Sequence, residues 1–104
     1  MKILSIQIQP DLDSTFCKDI VLSELKRIGI IPEVQEGNNN GSYINFHVSS
    51  ENLEISWAAI KSQLFNYPGF IKSSIITCEG DNGWDDYLLL HHFNEEESLD
   101  IIEC

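Results

Sequence analysis

The chain has 104 residues and carries seventeen Asp and Glu against six Lys and Arg, a formal net charge of −11. That length fits one domain with one core. A chain so anionic repels phosphate backbones and acidic lipid headgroups, which argues against ordinary nucleic-acid binders and polybasic membrane proteins.

An apolar content of 42% suffices for a core without staples. Cys17, Cys78 and Cys104 cannot all pair with one another and form no CxxC, the pattern of free thiols in a reducing compartment. Met1-Lys2 runs directly into alternating residues, without the apolar stretch and cleavage site of a signal peptide. No apolar run approaches the roughly eighteen residues of a membrane span. The expectation is a cytoplasmic chain.

Leu4, Ile6 and Ile8 alternate with Ser5, Gln7 and Gln9, the period of a half-buried strand, which Pro10 ends. Asp11, Asp13 and Ser14 supply cap chemistry for a helix over 14–28. Its stripe is Phe16, Ile20, Val21, Leu25 and Ile28, and Gly29 sits at the C-terminal cap position. A short second strand over 30–36 contains Pro32, which restricts it to a sheet edge. The turn 37–42 leads to a third strand over 43–48, with Ile44, Phe46 and Val48 inward and Tyr43, Asn45 and His47 outward. Ser49 and Ser50 are cap candidates for a second helix, with Glu51 and Glu54 in its first turn and a stripe of Leu53, Trp57, Ile60 and Leu64. Pro68-Gly69 is expected to end that helix, and 70–79 reads as a fourth strand.

The first eighty residues thus spell β-α-β-β-α-β, the order of the α+β ferredoxin-like arrangement. In it an antiparallel sheet carries two helices on one face, with the first and third strands central. Residues 1–79 form this body and 80–104 an acidic, aromatic C-terminal extension of the same single domain. After the turn at 80–83, residues 84–93 read either as a fifth strand paired with the fourth or as a helix. The helix would be capped by Asn82, with Trp84, Tyr87, Leu88 and His91 on one face. The run Tyr87-Leu88-Leu89-Leu90 lacks the alternation that would decide, and the strand is preferred. Residues 94–98 form a charged break, and 99–104 a last strand or a helical turn.

The charge is unevenly placed. Residues 1–72 hold eight acids and all six bases, net −2, whereas residues 73–104 hold nine acids and no base, net −9. The second segment interleaves Asp81, Asp85, Asp86, Glu95, Glu96, Glu97, Asp100 and Glu103 with Trp84, Tyr87, His91, His92 and Phe93. One reading is a solvated loop and tail. The other is a docking surface for a cationic partner, in which carboxylates steer association and an aromatic residue such as Trp84 supplies a desolvated anchor.

In size, acidity, leaderless start and lack of a catalytic motif, the chain resembles the small acidic immunity proteins that neutralise bacterial nuclease toxins. That resemblance implies a non-enzymatic inhibitor, a basic cognate toxin and a one-to-one complex that occludes the toxin's cleft. The contacts it implies are Asp81, Trp84, Asp85, Asp86, Tyr87, Glu95, Glu96 and Glu97. No cofactor, metal, nucleic acid or membrane enters this reading.

Other chemistries find less support. Adjacent His91 and His92 point to opposite faces of a strand or about 100° apart on a helix, so they do not chelate one ion, and a site would need His47, Cys78 or an Asp as well. Cys17, with His47 as base, is a formal thiol nucleophile, but it lies on or beside the apolar stripe of its helix. There is no GxGxxG, Walker loop or GxSxG. The open sheet face offers Tyr43 and His47 on the third strand but no aromatic or basic residue among Ser5, Gln7 and Gln9, so a base-stacking platform is disfavoured. That face could instead serve a small ligand or a dimer in a regulatory domain, covering Ile3, Tyr43 and Ile71 or Ile75.

Overall fold

A computed structural model describes residues 2–9, 18–38, 42–94 and 96–100. Among the described residues the architecture is α+β, a five-stranded antiparallel sheet with three helices. Strand β1 (Lys2–Ile8) is central and is paired on one side with β3 (Ser42–Ser50) and on the other with β4 (Ser74–Gly80). Outside these lie β2 (Glu33–Asn38) and β5 (Gly83–His92), so the strand order is β2-β3-β1-β4-β5. The alternation read in the sequence holds: Leu4, Ile6 and Ile8 of β1, Phe46 and Val48 of β3, and Ile76 and Cys78 of β4 are all buried on one face. Pro32 precedes β2, which occupies an edge as its proline requires.

Helix α1 (Lys18–Arg27) contributes Val21 and Leu25 to this core, with Ile20, Ile28 and Ile30 packed against it. The expected start at Ser14, together with Pro10, Phe16 and Cys17, lies outside the described residues. Its end is a Schellman motif: Gly29 has φ +80°, its N–H donates to Lys26 O at 3.0 Å, and the Ile30 N–H donates to Leu25 O at 2.8 Å. Glu24 of the same helix is buried and accepts the Tyr67 hydroxyl at 3.0 Å, a bond that pushes the phenol's pKa up.

Helix α2 (Leu53–Leu64) buries Ile60 and Leu64, with Leu53 and Trp57 half-buried, as its stripe predicts. Its cap differs from the expectation. Strand β3 continues through Ser50, and Asn52 is the N-cap, accepting the Ile55 N–H at 3.1 Å. Ser50 instead supports that cap by accepting the Asn52 N–H at 3.1 Å.

The segment after α2 corrects the sequence reading. Pro68-Gly69 does not end a helix; α2 closes at Phe65, and Pro68 opens a third helix, α3 (Pro68–Ser73). Proline suits the first helical position, where its missing N–H would have no partner. Phe70 therefore reaches the core from a helix, β4 begins only at Ser74, and Ile71 is not on the open sheet face. On that face, register places Gln35, Asn45, Gln7 and Ile75 in one row across β2, β3, β1 and β4. It is a mostly polar surface rather than an apolar patch.

Two residues give opposite expectations for stability. Leu64→Ala removes a fully buried side chain from the α2 face of the core and is expected to cost about 2–5 kcal/mol. The buried Ser74 hydroxyl has no hydrogen-bond partner among the described residues, so Ser74→Ala is expected to be neutral or stabilising. Urea unfolding of the two variants checks both signs.

Candidate functional site

Residues 83–92 are a strand, which settles the ambiguity in favour of the preferred reading. The reason that alternation was missing is geometric. Cys78 pairs with Leu88 and Gly80 with Gly83, so Trp84, Asp85, Asp86 and Tyr87 of β5 stand opposite Glu79 alone. The extra residues bulge from the ladder, and all four side chains are exposed in succession instead of alternating. Trp84 remains 44% and Tyr87 56% exposed, unusual values for large aromatics.

The bulge is built by local bonds. A turn at Asp81-Asn82 closes on Gly83, whose φ of +71° suits glycine. The Asn82 N–H donates to Asp86 Oδ1 at 2.8 Å, and the Asp86 carbonyl packs so close to Gly80 that a Cβ there would collide with it. Asp86 is therefore partly a structural residue. Asp81 and Asp85 are exposed; Lys2 Nζ approaches Asp81 Oδ1 at 4.0 Å, but both side chains are solvated and the pair neutralises little.

The expected contact set divides in two. Asp81, Trp84, Asp85, Asp86 and Tyr87 lie together on the β4–β5 hairpin, whereas Glu96 and Glu97 lie in the turn that follows the far end of β5. At about 3.3 Å per strand residue the two groups are roughly 20 Å apart. Glu95 lies outside the described residues. The turn is organised by Asn94, whose N–H donates to His92 Nδ1 at 2.9 Å and whose Oδ1 accepts the Glu96 N–H at 3.0 Å.

Beyond that turn the chain doubles back on β5. The Asp100 N–H donates to Leu89 O at 2.7 Å, and Asp100 Oδ2 accepts the Leu89 N–H at 2.8 Å, so one residue satisfies both outward-facing backbone groups of Leu89. Charge counting placed Asp100 in the acidic segment without revealing this role. Glu79 was missed for the same reason: its Oε2 accepts the Ile3 N–H at 2.6 Å and links the end of β4 to β1.

Of the rival chemistries, the proposed Cys17 nucleophile lies outside the described residues. His91 pairs with Ile76 on the helix side of the sheet and His92 with Ile75 on the open side, the divergence expected of strand neighbours. No group of three or more His, Cys, Asp or Glu among the described residues could hold a metal ion. His47 lies 3.4 Å from Gln35 Oε1, and the buried Cys78 thiol has its pKa pushed up by burial, which suppresses the thiolate needed of a nucleophile.

Comparison of the chain with protein-family models, curated proteins and solved structures finds no match in any of the three.

Asp100→Ala keeps the backbone bond to Leu89 O but leaves the Leu89 N–H without its carboxylate acceptor, and is expected to cost about 1–2 kcal/mol and to promote self-association by opening the β5 edge. Urea unfolding and sedimentation velocity at several concentrations read the two effects separately.

Proposed function

We propose that this chain is a non-enzymatic, cytoplasmic inhibitor that captures a basic protein partner on the β4–β5 hairpin, most concretely a nuclease-type toxin of the kind that immunity proteins neutralise. We also assign its first eighty residues to the ferredoxin-like arrangement, supported by the central positions of β1 and β3 and the edge position of β2; β5 is then an addition.

The observation that carries the functional reading is the run of four exposed residues, Trp84-Asp85-Asp86-Tyr87, lifted from the sheet by one bulge. Bulges at sheet edges re-aim side chains, and this one puts two aromatics and two carboxylates on the same protruding segment. A nuclease carries a basic cleft for phosphate. Carboxylates placed in that cleft are held by the same cations, while Trp84 can bury its ring and exclude water around them. Glu96 and Glu97 would widen the field at the other end of β5 and raise the encounter rate more than the affinity. The alternative of a regulatory domain that dimerises or binds a ligand through the open sheet face draws less support, because Gln35, Asn45 and Gln7 occupy its middle.

The test is titration of a basic nuclease domain encoded beside this chain. Inhibition at a one-to-one ratio is expected, with association slowing as salt rises. The double variant Asp81→Lys, Asp85→Lys should slow association, while Trp84→Ala should weaken binding by about 2 kcal/mol, roughly thirtyfold, mainly through faster dissociation. Asp86 is left intact because it holds the turn. Wild-type affinity in both variants would remove the hairpin as the interface, and an uninhibited nuclease would remove the toxin reading.

A further inference from the structure

The same strand that carries the hairpin is tied to the helical layer at its other end by a buried imidazole beside the core residue Leu90. A second bulge in β5 falls between Ile76 and Thr77 of β4: Ile76 pairs with His91 and Thr77 with Leu89, leaving Leu90 as the extra residue. As a result Leu90 and His91 are both buried, although they are neighbours in a strand. The His91 ring reaches across to the helical layer. Its Nε2 lies 3.0 Å from the carbonyl of Ile71 in α3, and its ring meets Phe65, the C-cap of α2, edge to face at 4.9 Å. Phe65 in turn packs on Trp57 at 5.7 Å and on Phe70 at 5.9 Å. One side chain therefore joins β5 to both helices that flank it.

The charges around this ring are unexpected in so acidic a chain. From α2 the group acting on His91 is Lys61, which also lies over the Trp57 and Phe65 rings at 5.9 and 5.7 Å; from β5 it is His92. Helix α3 presents the Ile71 carbonyl, with exposed Lys72 next to it, and β4 presents the uncharged Ile76. Among the described residues no carboxylate acts on the ring as a counter-ion.

We propose that His91 is a proton-operated clasp: neutral, it locks β5 to α2 and α3, and protonated, it releases the inner half of β5 from the helical layer. Burial, the largest cause, holds its pKa below the ordinary value with smaller contributions from His92 and the Lys61 ammonium, outweighing the bond to Ile71, which favours the charged ring. The sign follows. The unfolded chain takes up the proton first as pH falls below about 6.5, so the clasp's contribution is complete above that pH and is lost as pH falls through the lower folded value. The clasp stands on its own geometry. Its consequence, a hairpin less firmly presented to a partner in acid, rests on the function proposed above.

The experiment uses the full chain without a partner. The His91 ring is titrated by NMR, and amide exchange, corrected for intrinsic rates, is compared at pH 7.5 and 5.5. His91 should titrate below about 6.5, with protection from Leu88 to His92 falling several-fold in acid while β1–β3 amides hold theirs. Lys61→Gln removes an exposed cation from over the Trp57 and Phe65 rings while leaving an uncharged polar side chain in its place, and should move both the His91 midpoint and the loss of protection to higher pH. In His91→Gln the local acid loss should disappear. Titration of His91 at or above the ordinary value, β5 protection independent of pH, or a midpoint unmoved in Lys61→Gln would each overturn the clasp. None of these outcomes bears on whether the hairpin binds a toxin.

Discussion

Everything in this fold is referred to one strand. Strand β1 is bonded on both sides, and Leu4, Ile6 and Ile8 must all face the helices, so the parity of each neighbouring strand follows from its register with β1. Leu4 aligned with Val48 and with Cys78, and Ile6 with Phe46 and with Ile76, put apolar side chains in contiguous rows. A slip of one residue in either ladder would turn those rows to water, so the register is strongly fixed. The helices close over the same rows with Val21, Leu25, Ile60, Leu64 and Phe70. The register is interrupted in β5, which does not touch β1 and carries two bulges.

That dependence explains what could be read from the sequence. The first and third strands were legible because alternation is the direct imprint of a one-sided burial, and the second helix because its stripe repeats every three or four residues. Gly29 was read as a cap and is one. The errors lie where one residue type serves two structural purposes. Proline stops one helix or begins another with equal ease, and only the packing of Phe70 decides between them at Pro68. Ser50 resembles a cap but is the last residue of a strand and supports Asn52 from one step away. In β5, two bulges erased the period of two, leaving a run of residues that fitted a helix as well as a strand.

The candidate site was legible as a composition gradient but not as a shape. Counting acids joined Asp81, Asp85 and Asp86 with Glu96 and Glu97 because they are close in sequence, whereas an extended strand carries sequence neighbours far apart in space. Counting also treated all carboxylates alike. Asp86 holds a turn, Glu79 links two strands and Asp100 closes an edge, each by accepting a backbone N–H, a use of charge that composition cannot separate from solvation or binding.

The two uses are connected. An edge strand exposes unpaired backbone groups and invites unwanted pairing, which proteins counter with bulges, charges and covering chain. Strand β5 has all three: a bulge at Trp84 to Tyr87, carboxylates on and beside it, and Asp100 lying over Leu89. A device that stops another strand from adding to the sheet also removes backbone pairing as a mode of recognition there. What remains for a partner is the side chains, and on the bulge these are two carboxylates between two exposed rings. Because Asp85 and Asp81 are exposed to solvent, their mutual repulsion costs little and their attraction for a cation is long-ranged but weak. Trp84 and Tyr87 have the opposite properties, negligible at a distance and large once water is excluded. In the capture proposed for this hairpin, the bulge would separate the two requirements, with charge governing the encounter and aromatic surface the lifetime of the complex.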